Sequence, residues 1–305
     1  MITLDPGPEE LASAHLGRWI HVNGRRTATE CFEQLRRGPT TEGETCTEPS
    51  LLECLALGCG SDPVRYSQEH SMTGAIRVAV PRGDRHIHGS RPTRTWMAQN
   101  GMAIPRREAL VCRECVAADV LEGPMSWFRR IHHLVGVDWC PIHRTALEAV
   151  IAPDPFGGLP HAWLSAKATT PISSGLIPPE SGFLPRFVEI CCRLLVRTGP
   201  SDCQSLNNAL TSRAAQMGIG ANATRTRTLL SDHLLDIAGE DWLLRHVPHF
   251  AMKGRGLAFR AIDAVLDRRE SAAPGETYAM ALAALYGSAA EAIQVLDDAS
   301  AMADA

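Results

Sequence analysis

Apolar residues recur at helical spacing toward both ends of this 305-residue chain and lose that rhythm in the middle. Leu11, Ala14, Leu16, Trp19 and Ile20 lie near one face of a helix over residues 9–22, which Asn23-Gly24 would stop. Thr29 to Leu35 predicts a second short helix ended by Gly38-Pro39, and Pro49 to Leu57 a third. Short helices joined by a Gly-containing turn permit a helix-turn-helix, and an ordinary helical hairpin satisfies the same pattern. From about Phe187 onward, helices are expected over 186–197, 203–215, 222–237, 240–246, 257–268, 276–286 and 289–298, a small bundle rich in alanine and leucine. Ile262, Val265 and Leu266 form its clearest buried stripe, Gly239 and Gly287 punctuate neighbouring segments, and the acidic tail from Asp297 is expected to fray. No internal repeat of fixed period emerges.

Between these helical stretches the pattern changes twice. From Val80 to Arg107 regularity fades while Arg82, Arg85, Arg91, Arg94, Arg106 and Arg107 accumulate with His86 and His88, which reads as an exposed basic loop. Such a cluster can grip phosphates, although charge runs are often plain solvated surface. Farther on, Pro153, Pro155, Pro160, Pro171, Pro178, Pro179 and Pro185 resist regular structure and mark a boundary.

Composition sharpens this only in places. Apolar residues make up 45% and charged residues 21%, ordinary for a folded chain. At net charge −4 the chain is a poor candidate for coating nucleic acid by overall positive charge, so any such contact must be local. Lysine occurs only at Lys167 and Lys253, leaving arginine, whose planar fork suits phosphate and carboxylate alike, as the main cation. No apolar run is long enough to cross a bilayer, and the start MITLDPGPEE lacks the regions of a signal peptide, so a cytoplasmic protein without membrane contact is expected. In a reducing cytosol the ten cysteines stay thiols, and closely spaced ones read first as metal ligands.

Spacing then selects the ligands. Cys112-x2-Cys115, 24 intervening residues and Cys140-x2-His143 form two knuckles, each pair on one tight turn, that together complete a tetrahedron around zinc. A Cys3His set is closed, so one structural Zn2+ with no vacancy for water or substrate is expected. A segment of this length buries too little apolar surface to fold unaided, and zinc can supply the staple. His132 and His133 could replace one ligand, but adjacent histidines on a helix or strand cannot easily both point inward, so the reading is that they support the ligands from outside or pack around the site. Cys31, Cys46, Cys54, Cys59, Cys191, Cys192 and Cys203 show no second paired pattern; a second zinc would draw on Cys54 and Cys59 with His86 or His88.

The expected architecture is therefore mainly α with a small zinc-ribbon insert: an N-terminal helical region over 1–107, the ribbon over 108–150, a Pro-rich connector over 151–185 and a C-terminal helical domain over 186–305. Enzyme signatures are absent from the sequence. No H-x-E precedes a paired-cysteine motif as zinc deaminases require, and no H-E-x-x-H, G-x-S-x-G or G-x-x-x-x-G-K-[ST] occurs, so no catalytic residue is assigned.

Three blocks resemble the TniQ family of transposition proteins, which includes TnsD-like target selectors. EELASAHLGRWIHVNG is similar to the family's opening helix, through Glu10, Leu11, Ser13, Leu16, Arg18, Asn23 and Gly24. CREC followed by WFRRIHHLVGVDWCPIHRTAL resembles the family zinc ribbon, and HLLDIAGEDWLLRHVP a helical stretch that follows it. His15 stands where the family often has an aromatic residue, and Arg144 where a glycine is common. The resemblance implies a targeting adaptor that recruits the transposon's AAA+ ATPase and transposase, in some relatives by binding attachment-site DNA and in others carried by a CRISPR effector ribonucleoprotein of the Cascade type. A homodimer is compatible with such a role. The rival reading is a zinc-containing, sequence-specific DNA-binding regulator acting alone.

Overall fold

The computed structural model describes residues 2–24, 27–36, 49–172, 181–222, 227–267 and 271–301. They are mainly helical and divide into two compact units, one of Met1–Thr73 with Ile87–Ile177 and one of Gly74–His86 with Pro178–Ala305. Among the described residues no helix is long and apolar enough to cross a membrane.

The first unit begins with helices Ala12–Val22, Ala28–Arg36, Leu51–Gly58 and Pro63–His70. Leu16, Trp19, Leu35, Leu52, Leu55 and Tyr66 bury their apolar faces against one another, with Met97 from the short helix Arg94–Asn100 closing the cluster. Local chemistry sets the starts. Ser50 accepts from the Glu53 amide while the Glu53 carboxylate takes the Ser50 amide, and Asp62 accepts from the Arg65 amide just ahead of Pro63, whose missing N–H costs nothing in a first turn. Cys31 and Cys54 are small apolar members of this core. Gly38-Pro39, expected to end the second helix, Cys46, and Arg25-Arg26 before that helix lie outside the described residues.

The rest of the first unit is built on a three-stranded antiparallel sheet, with Leu110–Val111 and Thr169–Pro171 flanking Glu148–Val150. Its outer strand comes from the stretch in which proline was expected to prevent regular structure. Pro155 and Pro160 instead open short helices, Pro155–Gly157 and Pro160–Ser165, and Pro171 ends a strand: all positions where a missing amide is tolerated. Regularity also persists between Val80 and Arg107, where helix Arg94–Asn100 forms.

In the second unit, helices Phe183–Leu195, Cys203–Gln216, Leu230–Ala238 and Ala289–Ala301 surround Gly275–Leu285, which is buried from Thr277 to Leu285 on every face, and Glu240–His246 packs on Leu230–Ala238. Gly275 is required there, because a Cβ would lie 1.8 Å from the Ala75 carbonyl oxygen. Ala79–Val80 pairs in parallel with Ser201–Asp202, which draws Gly74–His86 into this unit. Three expectations are corrected. Thr228–Leu229 is a strand beside Ile219–Gly220, so the helix expected from 222 starts only at Leu230; β-branched Thr228 suits the extended backbone. The 257–268 helix shrinks to Arg260–Asp263 and a 3-10 turn to Leu266, since the Asp263 carboxylate takes the Phe259 and Ser231 amides. The tail is helical to Ala301, with Ala299 buried and Asp297 ion-paired to Arg197.

Candidate metal centre

Cys112 caps helix Arg113–Glu122 and Cys115 lies in its first turn. The first ligand pair thus opens a helix instead of occupying a tight turn, and the helix's positive end favours thiolates there. Cys140 and His143 do sit on a tight turn. The Arg144 amide donates to the Cys140 carbonyl at 2.8 Å and the Cys140 amide to that of Thr145 at 2.7 Å, inside a hairpin closed by the Trp139–Ala146 bridge. Arg144 takes φ 56°, in the left-handed region, which explains why glycine suits this position.

The two pairs converge. The ligand atoms of Cys112, Cys115, Cys140 and His143 all lie within 4.8 Å of one another, the cysteines buried and His143 partly so. Tetrahedral bonds of about 2.3 Å to sulfur and 2.0–2.1 Å to nitrogen require edges of about 3.8 Å between sulfurs and about 3.5 Å from sulfur to nitrogen. The Cys115 and Cys140 sulfurs are 3.7 Å apart, and His143 Nδ1 stands 3.5, 3.3 and 3.7 Å from the sulfurs of Cys112, Cys115 and Cys140. This cluster fits a metal ion, and its donor chemistry fits zinc. Without metal, hydrogen bonds from Cys115 and then Cys140 hold the Cys112 thiol far below its usual range, while those from Cys112 push Cys115 and Cys140 up. Metal binding must therefore release protons.

The string around WFRRIHH builds the surroundings. Arg129 Nη2 pairs with buried Asp119 at 2.6 Å, and Arg130, fully buried, reaches the Glu9 carboxylate at 2.7 Å and the Gln68 and Ser71 carbonyls at 2.7 and 2.8 Å. Backbone pairing of Glu10 with Arg129 anchors the start of the chain to the same segment. His132 and His133 are both buried as neighbours of the site: the 3-10 turn Arg130–His133 swings them about 120° apart, and packing covers both directions. His133 is structural: its Nε2 accepts the Leu110 amide at 3.0 Å and its Nδ1 donates to the Arg129 carbonyl at 2.9 Å, with burial lowering its pKa to about 4. His132 instead points Nε2 at sulfur, 3.4 Å from Cys140 and 3.8 Å from Cys115. Thr145 Oγ1 stands 3.4 Å from Cys112 Sγ, a neighbour no spacing rule announces.

The residues named for a second zinc form no such cluster among the described residues: Cys54 is in the apolar core and the Cys59 thiol donates to the Ala56 carbonyl. Nor do the six arginines form one loop. Arg82 and Arg85 belong to the second unit, where Arg82 is exposed and Arg85 donates to the Ser300 carbonyl; Arg91, Arg94, Arg106 and Arg107 belong to the first. Arg94 pairs with Glu53, and buried Arg106 binds Asp138, Glu108 and the Val137 carbonyl, whereas Arg91 and Arg107 are exposed.

No curated protein matches the chain. The TniQ family model matches residues 1–147, a span that contains all four converging ligands and the turn that supports them. Those 147 residues form a TniQ-family domain.

Proposed function

We propose that this chain is a non-catalytic targeting adaptor of DNA transposition. In this reading it links a target-recognising component, a CRISPR effector ribonucleoprotein being the first to test, to the transposon's AAA+ ATPase and transposase. The carrying observation is the coincidence of the TniQ match over residues 1–147 with a closed Cys3His cluster in the same residues. Four protein donors leave a bound zinc no position for water or substrate, so the ion's task is to fix the fold of the recruiting domain. The net charge of −4 favours protein or ribonucleoprotein partners, and any DNA contact falls to local groups such as exposed Arg91 and Arg107 in one unit and Arg82 in the other.

The test is co-expression with the ATPase and any effector encoded beside it. Stable co-purification at moderate salt is expected, along with loss of recruitment when the metal is chelated. Tight binding of the isolated chain to a single duplex site, steeply weakened by salt and indifferent to partners, would instead make it an autonomous regulator.

A further inference from the structure

We propose that His132 is a positioning residue that donates an Nε2–H hydrogen bond to the Cys140 thiolate, with Cys115 its second acceptor. It thereby sets how tightly the cluster holds its metal and how slowly its sulfurs react. This rests on the assignment of Cys112, Cys115, Cys140 and His143 as metal ligands.

The geometry selects this role over two others. His132 does not belong to the group of four mutually converging ligand atoms, and a tetrahedral ion already has its full set. It is not inert filling either: an imidazole only 2% exposed turns its Nε2 toward two sulfurs, at 3.4 and 3.8 Å, and the nearer separation suits an N–H···S bond. Three thiolates around a divalent cation carry a net charge of −1, which burial makes costly unless donors surround the sulfurs. The Thr145 hydroxyl stands 3.4 Å from Cys112 Sγ, and the His143 amide donates to Cys140 Sγ at 3.5 Å. His132 completes this pattern along the Cys115–Cys140 edge.

The imidazole is also held before any metal arrives. Its 3-10 turn is pinned by Arg130 on Glu9, Gln68 and Ser71, by His133 between Leu110 and Arg129, and by Arg129 on Asp119. Little freedom remains to be lost when the N–H···S bond forms, so its effect falls directly on the metal equilibrium.

The full-length chain, loaded with Zn2+ or Co2+, tests this with His132→Leu, which removes the donor, and His132→Gln, whose amide restores one. Removing groups that support metal ligands typically weakens affinity about 10–100-fold. A loss of that size is expected for His132→Leu in chelator competition, with faster alkylation of the cysteines by iodoacetamide and a shifted sulfur-to-cobalt charge-transfer band. His132→Gln should recover most of each. A folded His132→Leu protein with unaltered affinity, alkylation rate and band would overturn the proposal. Should that variant fail to fold, 113Cd-substituted wild-type protein decides: coupling between 113Cd and the His132 Hε2 proton supports it, and absence of that coupling rejects it. Wild-type protein that takes up no metal in any of these experiments would mark failure of the ligand assignment itself.

Discussion

The first unit adds to its apolar core a set of polar groups drawn out of water around the candidate metal centre, whereas the centre of the second unit is an apolar helix. Around the candidate metal centre, Glu10, Arg18, Asp119, Arg130, His132 and His133 are all nearly sealed from solvent, each beside a partner of suitable chemistry. In the second unit, Lys253 with Asp232 and Asp263 with Ser231 are buried counterparts, but its centre is the alanine- and leucine-rich helix Gly275–Leu285. The difference is one of specificity. A buried ion or imidazole tolerates few partners and fixes one arrangement, whereas an apolar helix accepts several neighbours of about the right volume.

Removing a metal ligand should separate the units most sharply. Cys112→Ala or Cys140→Ala is expected to abolish stoichiometric zinc and with it a binding free energy on the order of 10–16 kcal/mol in comparable fingers. Hydrogen exchange should then rise across residues 108–150 and stay low in Gly275–Leu285; undiminished metal in both variants would refute the ligand assignment. Arg130→Met should cost about 2–6 kcal/mol in urea unfolding of the first unit, since it leaves the Gln68 and Ser71 carbonyls without their donor at about 1–3 kcal/mol each, while Glu9, 42% exposed, can turn to water. Leu282→Ala, in the opposite unit, should cost about 2–5 kcal/mol through a cavity and leave zinc content untouched.

Acid should act on the first unit through His15, whose Nδ1 accepts from the Tyr66 hydroxyl and whose Nε2 donates to the Leu4 carbonyl. Burial lowers its pKa from 6.5 to about 3. The unfolded chain therefore takes up a proton below 6.5 that the folded one refuses, so stability falls as pH drops from 6.5 toward 3 and is unaffected above that window. A loss of about 2 kcal/mol by about pH 5 is expected from His15, and His15→Gln should remove that share while leaving the one from His133, whose pKa burial also lowers. Smallest of all, Asp297→Asn should shift the second unit by under about 1 kcal/mol, because more than half of Asp297 is exposed and its pairing with Arg197 is screened by water. A larger shift would contradict the view that apolar packing governs that unit.

The convergence of Cys112, Cys115, Cys140 and His143 was legible because two x2 spacings and the valence of zinc restrict the chemistry before any fold is known, and the helices of both ends were legible because their period repeats over several turns. Boundaries failed where a side chain outcompeted the pattern, as when Asp263 captured the Phe259 amide or when prolines found the first turns of helices. Other facts had no local signal at all. That His132 faces sulfur while His133 faces Leu110, that Arg106 is sealed against Asp138 while Arg107 is exposed, and that Gly74–His86 joins the second unit depend on partners tens of residues away. The sequence by itself determined the donor set and the helical class, since both follow from residue type and spacing. Only the tertiary structure decided which buried polar groups meet, because burial and pairing are properties of the packed chain.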